Sequence, residues 1–105
     1  MNAGATEEAI GFFLASISDV PNHKAYELLG ECYMKLGRLP LAILHLAAAT
    51  TLNRGVRAPS LLAEAWLAFG DISRALEIAE VALARDPKNK KALALRQKLS
   101  VHHEP

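Results

Sequence analysis

Leu28-Leu29-Gly30-Glu31-Cys32-Tyr33-Met34-Lys35-Leu36-Gly37 returns 33 residues later as Leu61-Leu62-Ala63-Glu64-Ala65-Trp66-Leu67-Ala68-Phe69-Gly70. Each copy has a leucine, then a small residue, then a large aromatic, then a closing glycine. Around the first copy, Tyr26, Leu29, Gly30, Tyr33 and Leu36 recur at three- and four-residue steps, the spacing of one face of a helix. Gly37 and Gly70 end their helices, because glycine accepts the left-handed conformation that follows a helical segment. In the second copy the stripe is Leu62, Ala63, Trp66 and Phe69.

The same 33-residue shift holds on both sides of this stretch. Ala9, Ala42 and Ala75 align, as do Phe13, Leu46 and Ala79, and the small Ser16, Ala49 and Ala82. Pro21 and Pro87 lie two periods apart with Arg54 between them. Self-similarity at a fixed period of this length signals stacked helical units. Within a unit a second helix follows the glycine. Pro40 opens one, being tolerated in a first turn, and Ala42, Ile43, Leu46 and Ala49 carry it to about Thr51. Asp71 caps the next, with Ala75, Leu76, Ile78, Ala79, Ala82 and Leu83 as its stripe. Pro59 is expected to start the helix before it. The ends hold half-units. Residues 6–18 read as a lone second helix, with Thr6 as its cap and Glu7 and Glu8 against its positive end. Residues 89–100 read as a lone first helix, with Leu93, Leu95 and Leu99 on one side and Lys90, Lys91, Arg96, Gln97 and Lys98 on the other. Residues 101–105 are expected to be loose.

Composition agrees. Ala and Leu make up 36 of the 105 residues, and Val, Ile and Thr only 12. The first pair are strong helix formers and the second group are what strands prefer, so the chain is read as all-α. A net charge of +1 without a basic run excludes a dedicated nucleic-acid binder. The most apolar stretch, 39–52, is shorter than the roughly 20 residues a membrane-spanning helix needs. Acidic residues stand near the start where a signal peptide would be basic. The single cysteine, Cys32, allows no internal disulfide and is read as a small buried group. These features point to a soluble cytoplasmic protein. No catalytic constellation is present: no His-x-x-x-His, no glycine-rich phosphate loop and no nucleophile beside a base. His23, His45, His102 and His103 form no set with metal-ligand spacing. No enzyme activity, cofactor or metal is expected.

Leu29-Gly30-x-x-Tyr33, Gly37, Ala42, Leu46 and Ala49, followed by Trp66, Gly70, Ala75, Ala82 and Asp86-Pro87, resemble the tetratricopeptide repeat (TPR). The resemblance implies an α-α superhelix, a TPR-like solenoid of about six antiparallel helices. It divides the chain into a half-repeat helix at 1–21, repeats at 22–55 and 56–89, and a capping helix with a tail at 90–105. Arg54 stands where a proline is usual, so that inter-helix turn is expected to be less fixed, and Pro59 stands where a large aromatic is common, so the second repeat's first helix is expected to begin late. The family's chemistry is binding, which implies a scaffold or adaptor that receives a partner's peptide or helix in a groove lined by the first helices. That groove falls on solvent-facing Lys24, Glu27, Glu31, Met34 and Lys35, then Arg57, Ser60, Glu64 and Leu67, then Lys91 and Lys98. Three carboxylates there would favour a basic segment, unless Lys24, Lys35 and Arg57 neutralise them. One subtype grips chaperone tails with a Lys/Asn/Lys/Arg clamp. The matching places hold Glu27, Glu31, Leu61, Lys91 and Leu95, and only Lys91 fits, so that role is not implied. The alternatives are an assembly or secretion-type chaperone holding an apolar client segment, and a self-associating structural subunit.

Leu41 and Leu44 fall on the outward face of their helix, where charges are expected. In the N-terminal half-unit, Phe12 and Phe13 belong to a face whose preceding helix the sequence does not contain. These four define a second apolar contact surface, covered by another copy of the chain or by neighbouring repeats of a longer array.

Overall fold

Gly37 and Gly70 set the corners of the molecule. Both adopt positive φ, 72° and 103°, and the amide after each returns to the carbonyl of the aromatic four residues before the glycine. Arg38 N donates to Tyr33 O at 2.9 Å and Asp71 N to Trp66 O at 3.0 Å, closing each helix with a left-handed cap. At the other ends, the Oδ1 of Asn22 accepts from the amide of Ala25 at 2.8 Å. Asn89 does the same for Ala92 at 2.9 Å, and Asp71 for Arg74 at 2.9 Å. Each satisfies an amide that the first turn leaves without an intrahelical partner.

The computed structural model describes residues 3–103. Among these it contains six helices and no strand: α1 (Ala3–Asp19), α2 (His23–Lys35), α3 (Leu39–Leu52), α4 (Arg57–Phe69), α5 (Ile72–Arg85) and α6 (Lys90–His103). Consecutive helices pack on each other, and α2, α4 and α6 also touch in series, whereas α1, α3 and α5 do not. The helices therefore form two layers. The layer whose members are in contact is the inner, concave one. The result is an elongated stack of 45 × 26 × 19 Å.

Small residues sit where the layers cross. Ala42, Ala49, Ala63, Ala65, Ala75, Ala79 and Ala82 are all buried, and Leu29 and Leu46 are sealed between them. Each such leucine contributes about 1.5–3 kcal/mol of transfer free energy. One main cluster joins Ile10 to Leu29, Tyr33, Leu46, Leu61 and Leu62, and a smaller one joins Ala82 and Leu83 to Ala92. The period of 33 is visible in the outer layer, whose helices end at Asp19, Leu52 and Arg85.

Several expectations are corrected. Thr6 is not a cap. α1 starts at Ala3, and Thr6 is buried inside it at 1% exposure. Glu7 consequently lies beyond the first turn, and its partner is Arg38, at 2.8 Å. α4 does not begin late: it starts at Arg57, and Pro59 is buried in its first turn, where a missing N–H costs nothing. Residues 101–103 continue α6 rather than forming a loose tail, and 104–105 lie outside the described residues.

Cys32 is buried. Burial pushes its thiol above the usual range, with Lys35 lowering it and Glu31 raising it by smaller amounts. Because the thiolate is the nucleophile, folded protein at pH 7.5 should react with a disulfide reagent about a hundredfold more slowly than unfolded protein. The rate should keep rising with pH beyond the point where an exposed thiol levels off. A fast stoichiometric reaction at pH 7.5 in the native state would contradict this.

Candidate interaction groove

Building from the inner helices outward, the spacing of Lys24, Glu27 and Glu31 puts all three on one side of α2. The next inner helix, α4, supplies Arg57 in its first turn. Arg57 Nε lies 3.1 Å from Glu27 Oε2, and its Nη2 donates to Glu31 Oε1. Lys24 approaches Glu27 at 3.4 Å. One helix further on, Lys91 of α6 approaches Glu64 of α4 at 3.4 Å. A cation at the start of α4 and of α6 thus reaches a carboxylate on the inner helix before it.

Two groove residues expected to face solvent do not. The Glu27 side chain is only 8% exposed. Arg57 and Lys24 close over it, which is what a carboxylate requires when taken out of water. Ser60 is buried, and its Oγ donates to Asn89 Oδ1 at 3.2 Å, so it ties α4 to the α6 cap. Met34 packs against the core cluster, with part of its surface open. Lys35, Leu67 and Lys98 keep accessible surface. All three carboxylates are neutralised within the groove, and Lys35 and Lys98 are left with no ion pair among the described residues.

The caps also fix the register of the last unit. Asn89 stands for Asn22 (both cap the third residue on), so Lys91 is the equivalent of Lys24 and Arg57. The places equivalent to Glu27 and Glu31 are then Ala94 and Lys98.

The four residues of the second apolar surface do not behave alike. Phe13 packs against the core. Phe12, edge-on to it at 5.5 Å between centroids, is 71% exposed. Leu41 and Leu44 are exposed on the outer face of α3, which does not touch α1. His45 is no ligand: it is buried, its Nδ1 lies 2.8 Å from the carbonyl of Leu41, and its ring packs on Tyr26 and Tyr33. Among the described residues no three His, Cys, Asp or Glu converge as a metal site. None of the described helices is long and apolar enough to cross a membrane.

These two layers, capped at glycine corners and joined by small residues, are those of a helical-repeat solenoid. Solved structures place it more closely. The first TPR of Spaghetti (RPAP3), bound to an HSP90 peptide SRMEEVD, superposes with a TM-score of 0.88 at 24% identity, over 94% of this chain and 80% of that one. The second TPR domain of human RPAP3, with an HSP70 peptide, gives 0.86 at 22%, over 92% and 82%. The TPR2B domain of yeast Sti1, in a pHsp70 complex, gives 0.86 at 22%, over 95% and 86%. The chain has the tetratricopeptide-repeat fold. No protein-family model matches it, and no curated protein does.

Proposed function

We propose that the face formed by α2, α4 and α6 binds a segment of a partner protein, and that the chain works as a non-catalytic scaffold or adaptor. The observation that carries this reading is the ion pairing across the inner helices. It consumes Glu27, Glu31 and Glu64, and leaves Lys35 of α2 and Lys98 of α6 without an ion pair among the described residues, in the same helix layer as the part-open Met34 and Leu67. A segment that pairs apolar side chains with acidic flanks complements that surface. The basic partner that three free carboxylates would attract loses its basis, because none of them is free. The peptides carried by the similar TPR domains end in EEVD and support an acidic, peptide-sized ligand class. The glutamates and Leu61 at the clamp places argue against a chaperone tail as the ligand.

Reversing Glu27 is a poor test, since it would set a third cation beside Lys24 and Arg57 inside a closed site. The better test is Met34→Glu with Leu67→Glu, compared with wild type and Lys98→Glu. Proteins captured on the immobilised full chain are identified by mass spectrometry. The expected result is a partner lost with the apolar pair, weakened about tenfold by Lys98→Glu, and kept by Phe12→Asp. A partner indifferent to the groove changes would refute the reading.

A further inference from the structure

We propose that the outer face of α3 is a self-association surface, on which a second copy of the chain packs its own α3 antiparallel across a two-fold axis. The groove lies in the other helix layer and takes no part.

α3 has 14 residues, and none is Asp, Glu, Lys or Arg. Leu41 and Leu44 are exposed on its outer face, Leu44 at 62%, with Ala48 half-buried and Thr51 exposed further along. The outer helices end 33 residues apart, so the same places on α5 hold Arg74, Glu77, Val81 and Ala84. One outer helix thus meets water with charges where its neighbour has two leucines. The hydroxyls of α3 are also withdrawn from its surface. Thr51 Oγ1 donates to the carbonyl of Ala47 at 3.0 Å, and Thr50 Oγ1 to that of Leu46 at 2.8 Å, so neither depends on water. A repeat added at either end of the stack would lengthen both layers and leave this face as open as before.

The pattern of sizes on this face identifies the occupant. Leu41, Leu44, Ala48 and Thr51 follow at steps of three, four and three residues, the spacing of a seam between two helices. Along it two large side chains are followed by two small ones. A parallel copy would set Leu against Leu at one end and leave Ala48 facing Ala48 across a gap. An antiparallel copy sets Leu41 beside Thr51 and Leu44 beside Ala48, then the same two pairs again. Every layer then holds one large and one small side chain. The stripe is its own complement in that orientation alone. A two-fold interface sets one patch against itself, and a face without charges does so with no like-charge contact. At each end of the seam Arg54 of one copy comes towards Arg38 of the other, whose charge Glu7 already balances at 2.8 Å. α3 is about 21 Å long, and one helix pair of that length buries less than the roughly 1,000 Å² of a stable interface. The association is accordingly weak, with a Kd between about 10 μM and 1 mM.

Sedimentation equilibrium of the full chain from about 10 μM to about 1 mM should show a reversible monomer–dimer step. Leu44→Asp, on an exposed side chain, should weaken it at least about tenfold at an unchanged melting temperature. Ala48→Leu should weaken it by crowding Leu44. Combining Leu44→Ala with Ala48→Leu should restore it, which a merely sticky surface would not do. In a Cys32→Ala background, proteins with Leu41→Cys and with Thr51→Cys should form a mixed disulfide when combined and oxidised, and little disulfide when kept apart. A monomer up to about 1 mM would overturn the proposal. So would a dimer indifferent to Leu44→Asp, or one dissolved by Met34→Glu with Leu67→Glu. A disulfide formed as readily by Leu41→Cys alone would overturn the antiparallel arrangement.

Discussion

Gly30→Ala is expected to lower stability by about 1–3 kcal/mol, or on the order of 5–15 °C in melting temperature for a domain of this size. Alanine is the better helix former by about 1 kcal/mol, so a surface glycine would show the opposite sign. At Gly30 the added Cβ would overlap Cγ and Cδ2 of Leu46. Leu46 is fully buried and lies in the main core cluster with Leu29, Ala42 and Leu62, so it cannot swing aside. The equivalent place in the next repeat is Ala63, and across from it stands Ala79 rather than a leucine. The methyl therefore moves from one side of the crossing to the other, and the two repeats solve one packing problem in complementary ways. A double-mutant cycle separates this overlap from a general intolerance. In a Leu46→Ala background, itself costing about 2–5 kcal/mol, Gly30→Ala should become neutral or stabilising. If it stays as costly there as in wild type, the close approach to Leu46 is not its cause.

The fold was readable because its determinants are local and periodic. A glycine after an aromatic, alanines at one phase of a 33-residue period and an aspartate ahead of a helix act within a few residues or repeat in register. What escaped reading depends on neighbours distant in sequence. Thr6 has the chemistry of a cap, but the helix begins at Ala3 and draws Thr6 inside, and nothing near Thr6 announces that. Glu27 carries the pattern of an exposed groove residue. Its burial is decided by Arg57, thirty residues later, whose role as a neutralising cation was anticipated but whose closure over the carboxylate was not. Ser60 was read as groove surface and instead joins Asn89, a pairing that only tertiary contact reveals. Phe12 and Phe13 looked like one apolar patch, and only packing divides them into an anchored ring and an open one.

Arg85→Ala is expected to destabilise the chain by about 2 kcal/mol, the value of a few charge-assisted hydrogen bonds after discounting their partial exposure. Arg54 replaces the usual proline in the turn after α3, which suggested a loosely held connection. Arg85, at the end of α5, supplies the missing constraint from outside the turn. Its Nη1 donates to the carbonyls of Asn53 at 2.9 Å and Gly55 at 3.1 Å, and its Nη2 to that of Thr50 at 3.1 Å. Thr50 lies in the last turn of α3, where carbonyls lack intrahelical partners and the helix dipole favours a cation. The planar guanidinium spans all three acceptors, whereas an ammonium is a single point of charge. Arg85→Lys should thus recover less than half of the loss. Because the acceptors are neutral carbonyls, the effect should change little between low and high salt, unlike that of an ion pair. Amide exchange around residues 53–56 should speed up in Arg85→Ala, while the corners at Gly37 and Gly70 stay as protected as in wild type. Equal stability of wild type, Arg85→Lys and Arg85→Ala would mean that Asn53, whose Oδ1 also accepts from the amide of Gly55 at 2.6 Å, holds the turn without help.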